Sequence, residues 1–151
     1  MGRLLTVLLV SMVALAGCGS AGKTIDPLLN SVDKAHGAQA LSALQQAQVA
    51  ASLVKTESGG TFGSNAEDLA QKLQAKDPSK RFSTAPSTAP EQIQVLGGGG
   101  AAILVAQGAP DVYVAIWDDG NGNPMYYMGK QPPPFSAQKP SGVGWSDRPL
   151  S

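Results

Sequence analysis

A single cysteine in 151 residues means that no disulfide can close within the chain and no cysteine-based metal site can assemble. A single histidine, His36, falls short of the several close ligands that a histidine metal site needs, and it would be the only candidate base for a serine nucleophile. No serine lies in a G-x-S-x-G elbow, so a hydrolase is not expected. Charge of either sign is scarce and balanced, 11 Lys and Arg against 11 Asp and Glu. A near-neutral chain without a basic stripe lacks the attraction that holds phosphate backbones, which excludes nucleic acid as an expected partner. Aromatic residues are few, 2 Trp, 3 Tyr and 3 Phe, whereas 18 glycines and 11 prolines are present. That balance predicts a small core with long irregular stretches. No segment after Ala16 approaches 18 consecutive apolar residues, so no later membrane-spanning helix is expected.

What is present begins at the first residue. Met1-Gly2-Arg3 is a short positive start, and Leu4 to Ala16 is an apolar run broken only by Thr6 and Ser11. The run has the length of a signal-peptide core and is shorter than the roughly 20 residues of a spanning helix. The following Leu15-Ala16-Gly17-Cys18 resembles the lipobox of bacterial lipoproteins. That resemblance implies cleavage between Gly17 and Cys18, with residues 1–17 as the signal peptide and a diacylglyceryl group on the Cys18 thiol. It places the exported chain on the outward side of the cell membrane, with the membrane itself as a partner through Cys18. Each buried methylene contributes about 0.8 kcal/mol, so two acyl chains hold where one binds only reversibly. Residues 18–25 are small and polar, a spacer between lipid and fold. Gly17 to Thr24 also matches G-x-x-x-x-G-K-[ST], the phosphate-binding loop. Its context speaks against that reading, because the preceding apolar run is the signal rather than a strand, and cleavage removes Gly17.

Asp26-Pro27 reads as a helix start, with Asp as N-cap and Pro at the first helical position. From there to about Lys55, Leu41, Leu44, Gln48, Ala51 and Val54 recur at helical spacing, and Gly37 marks a break or bend. Gly59-Gly60 ends this helix and Phe62 turns back to the core. Ser64-Asn65-Ala66-Glu67 is a capping-box pattern for a shorter second helix carrying Leu69 and Leu73, stopped by Asp77-Pro78. Beyond Arg81 the period becomes two: Ile93 and Val95, Ile103 and Val105, then Val112, Val114 and Ile116 alternating with Tyr113, Ala115 and Trp117. Met125 to Lys130 completes a hairpin across Asp119-Gly120-Asn121-Gly122-Asn123. Residues 131–151 hold five prolines and no period, and are expected as coil or a loosely packed tail. The expected fold is α+β: a long and a short helix on a three- to four-stranded antiparallel sheet spanning residues 26–130.

The order of these elements, with Ala47 to Val54 leading into Gly59-Gly60-Thr61-Phe62, then Leu69, Leu73, Phe82, Ile93-Gln94-Val95, Tyr113 to Trp117 and Met125-Tyr126-Tyr127, resembles type IV pilin-like domains over about residues 34–130. The resemblance implies a non-enzymatic head that binds or builds structure at the cell surface. A lipobox stands where a pilin carries its prepilin motif and long apolar helix, so the expected state is a monomer rather than a fibre subunit.

Three features invite chemistry. His36 reads as a helical surface residue near Asp33. Asp119 to Asn123 copies the D-x-N-x-N opening of a calcium loop, but Pro124 stands where glycine is needed and Lys130 where the bidentate Glu belongs, so a hairpin turn explains the same residues. No metal and no cofactor is expected. Trp117, Tyr126, Tyr127 and Trp145 concentrate aromatic area late in the chain and are the candidates for a binding face, alternation assigning about half of them to the core. The expected function is a lipid-anchored envelope module that binds an envelope protein or a cell-wall component. The alternative is a small-ligand-binding or accessory lipoprotein that modulates a membrane enzyme or transporter.

Overall fold

The computed structural model describes residues 29–150. Gly17, Cys18, the spacer and the Asp26-Pro27 helix start lie outside the described residues. The long helix, α1, runs from Ser31 to Glu57, and its cap is Asn30. The Asn30 side chain accepts from the N–H of Val32 and Asp33, both at 2.9 Å, while the Asp33 carboxylate accepts from the Asn30 N–H at 3.1 Å. This reciprocal box meets the orphan donors of the first turn. Ser58 and Gly60 close the other end by donating to the carbonyls of Val54 and Lys55, with Gly59 at φ 67°.

The short helix, α2, spans Ala66–Lys76, and its cap is Asn65 rather than Ser64. Asn65 accepts from the Asp68 N–H at 3.0 Å, and the Asp68 carboxylate takes both the N–H and hydroxyl of Ser64. The expected reciprocal box is not formed: Asn65 caps the helix one residue later than the pattern implied, and Asp68 accepts from Ser64, the residue before the cap. Hydrogen bonds hold both cap carboxyls below the usual carboxylate range: the Lys130 ammonium first and the Asn30 N–H second for Asp33, the Ser64 N–H first and Lys72 second for Asp68. A lowered folded-state value gives stability that is present above the unfolded value of about 3.9 and lost as pH falls through the folded one. Asp68→Asn should therefore flatten the acid limb of stability below about pH 4, as followed by circular dichroism in fixed urea.

Six strands form one sheet in the order β1-β2-β3-β4-β5-β6: Arg81–Ser83, Gln92–Gly98, Ala101–Ala109, Val112–Asp118, Met125–Gly129 and Trp145–Ser146. The central four are an antiparallel meander, as the period-two pattern implied. The sheet nevertheless exceeds the expected three or four antiparallel strands. β1 pairs parallel with β2, and β6 adds antiparallel to β5. The sheet is mixed because residues 84–91 carry the chain back before β2, with buried Ser87 accepting from the Gln107 N–H and donating to the Ala89 carbonyl.

Both helices cover one face. The Leu41, Leu44 and Ala51 stripe shares a single apolar cluster with Ile93, Val95, Val114 and Ile116. Gly37 does not break α1. It is buried in a continuous helix, where an added Cβ would lie 2.6 Å from Met128 Cε. The opposite face has its own cluster, including Ile103, Val105, Trp117, Tyr127 and Trp145. Residues 131–146 pack across this side rather than forming a loosely packed tail, and Leu150 beyond them packs against the helix-side cluster. The Trp117 indole donates to the Ser136 carbonyl at 2.9 Å, and the Tyr127 hydroxyl to the Gln131 carbonyl at 2.8 Å. β3 and β5 are accordingly buried over consecutive residues, a pattern that needs cover on both faces.

Candidate functional site

The four aromatics do not share an exposed face. Trp117, Tyr126, Tyr127 and Trp145 are all buried. Neighbours along a strand point to opposite faces, so Tyr126 sits in the helix-side cluster while Trp117 and Tyr127 sit in the opposite cluster with Trp145, which belongs to the C-terminal segment covering it. Burial first, and the nearby Asp118 charge second, push the Tyr126 phenol above its ordinary value. His36 is exposed on α1, and the Asp33 carboxylate pairs with Lys130 at 2.7 Å. In the 119–123 hairpin Asp119 accepts from the Asn121 N–H, and the Lys55 ammonium donates to the Asp119 carbonyl at 2.8 Å. A protein cation therefore already serves that loop. Among the described residues no three His, Asp or Glu side chains gather as metal ligands, and no helix is long and apolar enough to cross a membrane.

Two surface depressions flank α2. The larger, about 1030 Å³, lies between the end of α1, the loop after it and α2. Its lysines are engaged internally: Lys72 binds Asp68 at 3.0 Å and Lys76 binds Glu57 at 2.6 Å. Hydroxyls of Ser58, Thr61 and Ser64 complete a polar wall. Glycines make the wall possible on one side. The Gly99 carbonyl and N–H bond to the Phe62 N–H and Gly63 carbonyl, both at 2.8 Å, and a Cβ on Gly98 would lie 2.7 Å from the Asn65 backbone.

The smaller depression, about 540 Å³, runs between α2 and the outer edge of β1. Its wall includes Ala70, Ala75 and Phe82, and Glu67 is its only ionised residue. In a strand paired on one side, alternate residues turn their backbone groups outward. Arg81 bonds inward to the Glu91 carbonyl, so Lys80 and Phe82 face out. The Gln74 side chain meets both: its Nε2 donates to the Lys80 carbonyl at 2.8 Å and its Oε1 accepts from the Phe82 N–H at 3.1 Å. Beside this clamp the buried Lys80 ammonium donates to Gln46 Oε1 at 2.7 Å and lies within 3.7 Å of Asp77 and Glu91 carboxylates. Neither Gln74 nor Lys80 stands out in the sequence, since a glutamine or lysine near a helix end reads as a wet surface residue.

Comparison with known proteins finds no matching family model, no matching curated protein and no matching solved structure.

Proposed function

We propose that the chain is an exported, lipid-anchored cell-envelope protein whose folded head is a non-enzymatic binding or structural module. The observation that carries this reading is Leu15-Ala16-Gly17-Cys18 at the end of a signal-length apolar run, followed by a polar spacer. The head suits tethering, since helices cover one sheet face and residues 131–146 the other, leaving surface rather than sheet faces for a partner. A pilin-like description of the head is supported by α1 lying across the antiparallel β2–β5 meander. Outside its buried stripe α1 exposes Lys34, His36, Gln39, Gln45 and Gln46 alongside Val32, Val49 and Leu53, and the charged and amide share of that face favours a monomer over a fibre core.

Metabolic labelling with an alkyne fatty acid tests the anchor. The wild-type protein should take up label and partition into the detergent phase. Cys18→Ser should lose the label, and should either release the domain or leave uncut precursor that still carries the Leu4–Ala16 run. Label uptake retained by Cys18→Ser would overturn the anchor. Crosslinking in intact cells would then identify the partner. An accessory role with a small polar ligand draws support from the hydroxyl-lined depression beside Lys72 and Lys76, and a ligand-induced rise in melting temperature that is lost in Lys72→Ala would favour it.

A further inference from the structure

The free edge of β1 is closed by a side chain, not by a strand. Gln74 holds the Lys80 carbonyl and the Phe82 N–H with one amide, as a single residue of a parallel neighbouring strand would hold them. Natural sheets guard their edges because an open row of backbone groups templates another strand. Here the guard sits on a flexible side chain at the rim of a groove of about 540 Å³ between α2 and β1. Small side chains, Ala70 and Ala75, leave space opposite Phe82 for apolar residues spaced two apart. Glu67 is the only charge on the wall, and its Oε2 is only weakly engaged by Thr84 at 3.3 Å.

We propose that this groove binds an extended, basic-to-neutral peptide segment of a partner protein, which adds to β1 as a parallel strand by displacing the Gln74 amide. Main-chain hydrogen bonds supply affinity in such strand addition, and side-chain pockets supply selectivity. Gln74 is then a built-in competitor: it satisfies the edge when no partner is present and sets a threshold that a weak or mismatched strand does not cross. The inference deepens the binding-module reading by naming the partner's chemistry, and it is independent of the anchor.

The test uses the full chain in detergent, labelled for amide NMR, and an acetylated, amidated hexapeptide Lys-Val-Thr-Val-Thr-Val. Titration should move the Phe82 and Ser83 amides. Gln74→Ala should tighten binding roughly tenfold, since two hydrogen bonds no longer need displacing. Gln74→Glu, which keeps the acceptor and loses the donor, should fall between. Replacing the central valine by proline should abolish binding, and replacing lysine by glutamate should weaken it. Three results would overturn the proposal: no shift at β1 with any of the three proteins, equal binding of the proline peptide, or self-association of Gln74→Ala in place of peptide binding. A silent titration would remove the groove while leaving fatty-acid incorporation at Cys18 to decide the anchor separately.

Discussion

Trp145→Ala should destabilise the head by about 3–5 kcal/mol, the range for truncating a buried aromatic to a methyl. Trp145 is 7% exposed, packs on Tyr127 with ring centroids 5.2 Å apart, and is one of only two residues in β6. Its neighbourhood is fixed by backbone as well as by the ring. The Gly144 carbonyl accepts from the Met128 N–H at 3.0 Å, and an added Cβ on Gly144, at φ 89°, would lie 2.4 Å from the Tyr127 ring. Removing the indole leaves a cavity against Tyr127 and releases the short strand that ends the cover of the outer face. A single domain typically has about 5–15 kcal/mol in total, so the loss is a large share of it. Urea unfolding reads the effect as a lowered midpoint. Trp145→Phe should cost less than half as much, because a ring still meets Tyr127. A loss below about 1 kcal/mol for Trp145→Ala would mean that the outer face does not depend on the C-terminal segment.

Deleting residues 131–151 extends the same argument. It removes the Ser136 and Gln131 carbonyls that receive the Trp117 indole and the Tyr127 hydroxyl, and it uncovers Ile103, Val105 and Trp117 together. An apolar patch of that kind on a sheet surface drives association. The truncated chain should aggregate where Trp145→Ala merely loses stability, and light scattering distinguishes the two.

The elements legible in the sequence are those long enough to show a period. Twenty-seven residues of α1 and the β2–β5 meander declared themselves through Leu41, Leu44 and Ala51 and through Val112, Val114 and Ile116. β1 and β6 did not, since three and two residues cannot display an alternation. Prolines at 132–134 suggested coil correctly, but coil that is packed: Pro133 is buried, and irregular backbone covers a sheet face as well as a helix does when its carbonyls receive Trp117 and Tyr127. That cover buries Trp117 and Tyr127, whereas Tyr126 is buried on the helix side. Of the candidate residues, Cys18 can be proposed from sequence alone because a lipobox is a pattern of contiguous residues. Gln74 cannot, because its role exists only when residues 80–82 fold beside it.

Gly108→Ala carries the second large expected effect, and its comparison with Gly37→Ala shows why α1 is built from small residues. α1 lies so close to β3 that a Cβ on Gly108 would stand 2.4 Å from the His36 carbonyl oxygen and 3.2 Å from the Gly37 Cα. Both neighbours are backbone, so neither can swing aside, and relief requires lifting the start of α1 off the sheet. Overpacking of this kind costs about 1–3 kcal/mol and occasionally more. The lift would also strain the Asp33–Lys130 ion pair, which ties the first turn of α1 to the end of β5 at 2.7 Å. Gly37→Ala meets instead the Met128 thioether, whose Cε at 2.6 Å is the far end of a flexible chain. Against that clash stands a gain of about 1 kcal/mol in helix propensity on replacing an interior glycine. The two substitutions add the same methyl within a few ångströms of each other, yet Gly108→Ala should lower the unfolding midpoint clearly while Gly37→Ala changes it little. Equal losses would mean that the helix start is free to move and that the close approach is not what fixes glycine at Gly108.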